Sequence, residues 1–190
     1  MFTRWGEDSV KAVGGVTLFQ LTCKLHNPNR SKDKLDKHER RRFIMNIRFY
    51  LDKDISGCTE LFIDVFNQEP WNDNWLTDIA EKYLSDYTNT PGFIGVVAEE
   101  GAEIRGFIFG VCKRWWSGDE FFINEMCVSK RSQGNGLGTE LLNYLELNLV
   151  GTGIKRITLL TDKGIPAEYF YKKNGFQEID RLMFMCKSIG

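Results

Sequence analysis

Histidine is nearly missing from this chain. Only His26 and His38 occur in 190 residues, so residues 45–190 contain no imidazole at all. That stretch cannot build Ser-His-Asp or Cys-His catalysis, nor a His-containing metal site, from its own side chains. Cysteine is present five times, an odd number, at positions 23, 58, 112, 127 and 186, with no CxxC pair. This suits a reducing cytoplasm better than a disulfide framework. No apolar run is long enough to span a bilayer, so no membrane partner is expected. The net charge of −1 gives no argument for a nucleic-acid partner. Length and composition are those of one soluble domain with a sizeable core.

What is present is unevenly placed. Residues 1–44 hold 10 Lys+Arg against 5 Asp+Glu, whereas residues 45–190 hold 15 against 21. The stretch "RSKDKLDKHERRRF" is a solvated charge run without an apolar period. "VGGVTLFQLTC" is a poor secretion or lipoprotein signal: Glu7 and Asp8 precede it, Gln20 interrupts it, and the residues before Cys23 are not small. Residues 1–44 are therefore expected to be a basic extension, either a disordered tail or read-through upstream of a start at Met45.

From Met45 the hydrophobic period changes in a readable order. "NIRFYL" predicts a strand. "DISGCTELFIDVFN" predicts a helix with Asp54 or Ser56 as its cap, and Pro70 breaks it. "NDNWLTDIAEKYLSDY" predicts a second helix with Leu76, Ile79, Ala80, Tyr83 and Leu84 on one face. "GFIGVVAEE" and "EIRGFIFGVCK" predict a hairpin turning at Glu100-Gly101, and "FFINEMCV" a further strand in which Glu125 alternates with Ile123 and Cys127. Leu137, Leu141, Leu142, Leu145 and Leu149 predict an amphipathic helix, "IKRITLLT" a strand and "PAEYFYKKN" a short helix. "FQEI" and "RLMFMCK" predict closing strands. The order indicates one mixed α/β domain over 45–190.

The stretch "SQGNGLGTELL" packs three glycines into the turn before a helix. A helix start exposes unpaired N–H groups and the positive end of its dipole, and glycines let an anion approach that backbone. Neither a P-loop nor a dinucleotide fingerprint fits. No Lys-Ser/Thr pair follows, and the unit lies late, after antiparallel strands. Gln133-Gly134-Asn135-Gly136-Leu137-Gly138 instead resembles the Q/R-x-x-G-x-G/A signature of the GNAT superfamily of N-acetyltransferases. "FFINEMCVSKRSQGNGLGTELL" resembles that family's fourth strand and third helix, and "PAEYFYKKNGF" its late "A-x-x-F-Y-x-x-x-G-F" block. The resemblance covers 45–190. It implies a single mixed-sheet domain, mostly antiparallel, with a parallel β-α-β unit that binds acetyl-CoA.

The resemblance further implies acetyl-CoA as co-substrate, with no metal. Its pyrophosphate is expected on the N–H groups of Gln133, Gly134, Asn135, Gly136, Leu137 and Gly138, with Thr139 adding a hydroxyl. Backbone groups of Met126, Cys127 and Val128 would hold the pantetheine arm and the acetyl carbonyl. Glu125, an acid in an otherwise apolar strand, is the expected general base, because desolvation raises its pKa toward working pH. Tyr171 is the expected acid for the departing thiolate. Without a histidine nearby, Cys127 reads as a small buried hydrophobe rather than a nucleophile. For the acceptor, Trp71, Trp75, Trp115, Trp116, Asp119 and Glu120 combine aromatics with acids, which suits a cationic amine. "EPW" and the acidic strand lean toward an aminoglycoside-like small molecule. A non-catalytic acyl-CoA-binding module, a protein or peptide N-acetyltransferase, and a homodimer stay open at this point.

Overall fold

The computed structural model describes residues 45–189. The expectations about residues 1–44, including the start at Met45, lie outside the described residues. Among the described residues, five strands form one sheet in the order β1-β2-β3-β4-β5. They are β1 (Met45–Phe49), β2 (Phe93–Glu100), β3 (Glu103–Lys113), β4 (Asp119–Val128) and β5 (Ile154–Leu159). All neighbours run antiparallel except β4 and β5, which are parallel. A parallel pair needs a crossover, and α3 (Leu137–Leu149) supplies it.

Helices cover both faces, which gives the sheet two cores. On one side α1 (Ile55–Phe66) and α2 (Thr77–Thr88) pack Cys58, Leu61, Phe62, Ala80 and Leu84 onto Val97, Phe107, Phe109 and Cys127. On the other, α3 packs Leu137, Leu141, Leu142, Leu145 and Leu149 onto Val96, Ile108, Phe121 and Ile123. These are the five leucines that the helical period selects. The short α4 (Pro166–Lys173) lies on this second side through Phe170.

Three expectations need correction. Asp54 stands at the start of α1 but its side chain caps nothing there. Its carboxylate instead takes two bonds from the Arg48 guanidinium, at 2.6 and 2.9 Å, and one from the Leu51 N–H at 2.8 Å. The second helix begins at Thr77 rather than near Asn72. The Asn67 side chain accepts from the Trp75 N–H and donates to the Trp75 carbonyl, which holds 67–75 as a loop. Leu76 and Ile79 are consequently exposed. Finally, neither "FQEI" nor "RLMFMCK" forms a strand. An apolar run becomes a strand only when an edge accepts its backbone, and here a turn from the Leu182 N–H to the Ile179 carbonyl diverts the chain. Leu182, Met183, Phe184 and Met185 are left exposed.

Candidate active site

The site begins with an irregularity in β4. Phe109 of β3 lies opposite Glu125, but the next pair is Gly110 with Ile123, so Asn124 is an extra residue. A bulge of this kind shifts the alternation by one. Phe121 and Ile123 therefore face α3, whereas Glu125 and Cys127 face α1 and α2. The expectation that Ile123 shares a face with Glu125 fails for this reason. Without the bulge, Glu125 would point at the opposite core.

The second feature is a splay. β4 pairs with β5 only from Asp119 to Ile123. Beyond Ile123, the β5 side of Asn124, Glu125, Met126, Cys127 and Val128 has no ladder partner among the described residues. The gap holds a cavity of about 410 Å³. Glu125 of β4 and Tyr171 of α4 both line it, together with Trp71, Met126, Asn124 and Asp162. A neighbouring cavity of about 440 Å³ between β5 and the C-terminal segment contains Tyr171 but not Glu125. Of these two cavities, the first brings Glu125 and Tyr171, the residues expected to act as base and acid, together.

Burial dominates the electrostatics. Desolvation pushes the Glu125 carboxyl up to about 7, the Tyr83 hydroxyl bonded to it pulls back down, and nearby Asp73 adds to the rise. The Tyr171 phenol is also pushed up, chiefly by burial and then by the Glu125 charge. It is therefore protonated at any ordinary pH. Burial likewise raises the Cys127 thiol far above its usual range. Cys127 spends its S–H on the Leu61 carbonyl at 3.7 Å and is a core residue. The Asn124 Oδ1 is buried without a hydrogen-bond partner, an unmet acceptor in a residue of the cavity wall.

Next to this cavity lies the glycine turn. Gly134 (φ +74°) and Gly136 (φ +91°) have left-handed backbones, and a Cβ built on either meets nothing within 4 Å. They are glycines for their dihedrals, with open space in front of them. Gly138 differs: a Cβ there would lie 3.0 Å from the Phe170 ring and 3.4 Å from Met126. It lets α3 and α4 approach each other, and it sets the turn beside Met126 of the cavity wall. The N–H groups of Gly134, Asn135, Gly136, Leu137, Gly138 and Thr139 find no acceptor among the described residues. Gln133 is not an open donor. Its N–H goes to the Ser129 carbonyl at 3.0 Å and its side chain to the Val128 carbonyl at 2.9 Å, so it braces the turn. Leu137 contributes its side chain to the core. The remaining amides stand without a backbone partner at the positive end of α3, where an anion is favoured.

The chain is similar to known proteins in part of its sequence and in its fold. Residues 91–178 match the family model described as "Acetyltransferase (GNAT) domain". That stretch is similar to a GNAT acetyltransferase domain. The match takes in the hairpin, the bulged strand, the glycine turn and α4. No curated protein matches the chain in sequence. Solved structures do match the chain in fold. A possible acetyltransferase from Clostridium difficile 630 superposes with a TM-score of 0.66 at 18% identity, covering 77% of this chain and 99% of its own. An aminoglycoside acetyltransferase, meta-AAC0020, from an uncultured soil metagenomic sample, in complex with sisomicin, gives 0.62 at 16% identity, covering 77% and 97%. AAC(6')-Iy in complex with the bisubstrate analogue CoA-S-monomethyl-acetylneamine gives 0.61 at 14% identity, covering 77% and 99%.

The other aromatic and acidic candidates separate. Trp71 lines the cavity and stacks on Phe66 at 4.9 Å. Trp75 packs between Phe62 and Tyr83 and donates to Asp73 at 3.0 Å, so it walls the site from behind. Trp115 and Trp116 are exposed, Trp116 at 90%. Asp119 begins β4, six residues from Glu125, about 20 Å along a strand. Glu120 pairs with Arg156 at 2.8 Å. None of these four reaches the cavity. Sequence reasoning missed Tyr83 as a site residue. Its place on the apolar face of α2 marks it as core, and only the bulge brings Glu125 to its hydroxyl.

Proposed function

We propose that this protein is an N-acetyltransferase acting on a small cationic amine. The observation that carries the proposal is the shared cavity: a carboxylate that titrates near neutrality and a protonated phenol, from β4 and α4, line one space where the sheet opens. Acetyl-CoA supplies the activated acetyl group when bound. The open amides of Gly134 to Thr139 are suited to its pyrophosphate, and the unpaired edge of Met126, Cys127 and Val128 to its amide-bearing arm. Glu125 takes the proton that the amine gives up as nitrogen bonds to carbon. Tyr171 gives its proton to the sulfur that leaves. A pKa near 7 suits the base, since about half of it is ionised at neutral pH and it is basic enough to accept a proton. No covalent enzyme intermediate is needed, which agrees with a buried, hydrogen-bonded Cys127 and a domain without histidine.

Charge supports the acceptor class. Glu125 and Asp162 line the cavity beside the Trp71 ring, and Asp73 stands close enough to raise Glu125. Acids next to an aromatic favour an ammonium. The folds of the two aminoglycoside enzymes above point the same way. The free thiols of Cys58, Cys112, Cys127 and Cys186 suit a reducing cytoplasm.

The test is CoA-thiol release by the full chain across a panel of amines, with Glu125→Gln and Tyr171→Phe alongside. One or more polyamine or aminosugar acceptors should be turned over. Each variant should lose about 10²- to 10⁴-fold in kcat while binding acetyl-CoA as the parent does in calorimetry. Binding without thiol release for any amine or peptide acceptor would make the protein an acyl-CoA-binding module instead.

A further inference from the structure

Behind the carboxylate stands a second layer that the proposed chemistry does not use. The Tyr83 hydroxyl donates to Glu125 Oε1 at 2.5 Å, and the Tyr87 hydroxyl donates to Tyr83 Oη at 2.9 Å. Tyr83 and Tyr87 lie four residues apart in α2, so one helix face presents both. Their rings sit edge to face at 5.1 Å. Tyr83 is fixed on its other flank by Trp75 at 4.9 Å and Phe62 at 5.8 Å. A phenol clamped on both sides has little rotational freedom, so its hydroxyl direction is set by packing. Glu125 Oε2, by contrast, takes no hydrogen bond from any described residue.

We infer that Tyr83, itself held by Tyr87, is the positioning residue of Glu125: it captures Oε1 and leaves Oε2 as the oxygen presented to the cavity. This rests on the reading of Glu125 as the base. The physical reason is twofold. A carboxylate on three rotatable bonds in an open cavity samples many orientations, and one short bond from a rigid donor selects among them. A donor to the charged form also favours that form, opposing the desolvation that raises the pKa. Without Tyr83, burial and Asp73 would act unopposed, and the base would be protonated at neutral pH. Other titratable groups face the carboxylate: Tyr171 from α4 and Cys127 along β4, both neutral at that pH. From β3 it meets Phe109 as cross-strand partner, which carries no charge. Tyr83 is thus the donor that offsets burial.

The experiment compares the full-length parent with Tyr83→Phe and Tyr87→Phe, both of which keep the rings and their packing. The first readout is the titration of the Glu125 carboxyl carbon by NMR on ¹³C-glutamate-labelled protein, its resonance assigned by loss in Glu125→Gln. The midpoint should rise by about one pH unit in Tyr83→Phe and by less in Tyr87→Phe. The second readout is the pH profile of kcat with an accepted amine. Its acidic limb should move up by the same amount in Tyr83→Phe, lowering the rate at pH 7 by about fivefold and recovering above pH 9, with the acetyl-CoA KM unchanged. An unmoved carboxyl midpoint in Tyr83→Phe overturns the inference, as does a rate loss independent of pH. The two readings fail separately. A full rate in Glu125→Gln would remove the base, yet a shifted midpoint would still establish Tyr83 as the group that holds the carboxylate.

Discussion

Replacing Glu125 by glutamine should stabilise the protein, and only above a definite pH. In the folded chain the Glu125 carboxyl is pushed from its ordinary 4.5 up to about 7, mainly by burial. That gap is about 2.5 pH units, and each unit corresponds to about 1.4 kcal/mol, so ionised Glu125 costs about 3 kcal/mol more in the folded than in the unfolded state. The folded chain holds the proton more tightly. Below about pH 4.5 both states are protonated and the penalty is absent. It grows as pH rises from there to about 7 and is constant above. Glutamine is close in size, its amide oxygen can still accept from Tyr83, and it carries no charge to desolvate. Ligand-free Glu125→Gln should therefore exceed the parent by about 3 kcal/mol at pH 8 and by less than about 1 kcal/mol at pH 5. For a domain of this size each kcal/mol moves Tm by roughly 2–4 °C, so the expected gain at pH 8 is about 6–12 °C. Urea unfolding and thermal melts followed by circular dichroism at the two pH values measure it. A gain of equal size at pH 5 and pH 8 would show that charge is not its cause. No gain at pH 8 would show that the carboxylate is hydrated, and the argument from burial to a base near neutrality would fail.

Three further outcomes follow from other parts of the molecule. Gly136→Asn should keep the left-handed turn, since asparagine tolerates positive φ, but place a side chain before the open amides; acetyl-CoA affinity by calorimetry should fall at least about tenfold, and unchanged affinity would reduce this glycine to a turn residue. Trp116→Ala should leave kcat/KM for any accepted amine unchanged, because Trp116 is 90% exposed and absent from the cavity lining, and a loss would put the acceptor at the β3–β4 loop instead. Arg48→Met should cost about 3 kcal/mol near neutral pH, because the buried Asp54 carboxylate would keep its desolvation and lose two of the bonds, and the charge, that together with the Leu51 N–H offset it. Burial pushes the Asp54 carboxyl up, but the Arg48 bonds and charge with the Leu51 N–H hold it below its ordinary value, so the deficit should shrink as acid protonates Asp54. Urea unfolding at pH 7 and at pH 3.5 checks both statements.

The sequence by itself determined whatever rests on local period and local backbone demand. The leucines of α3 repeat at helical spacing and bury as one stripe; the hairpin of β2 and β3 turns where Gly101 permits it; Gly134 and Gly136 take the left-handed dihedrals that glycine alone adopts freely. Glu125 was conspicuous because a carboxylate within an apolar strand needs a reason, and its shared cavity with Tyr171 is consistent with the role assigned to it. Tertiary structure decided the rest, since it depends on which partners meet. Period-two reading placed Ile123 and Glu125 on one face, but the extra residue at Asn124, visible only in the pairing with β3, turned Glu125 to the opposite core. That turn made Tyr83 its hydrogen-bond donor across 42 residues of sequence. Trp71 and Trp116 looked alike as aromatic candidates, yet one walls the cavity and the other stands in solvent, because only the first is carried there by the loop that Asn67 clasps. The run "RLMFMCK" has a strand's composition and no strand, because a strand is a property of two backbones and its sequence describes one.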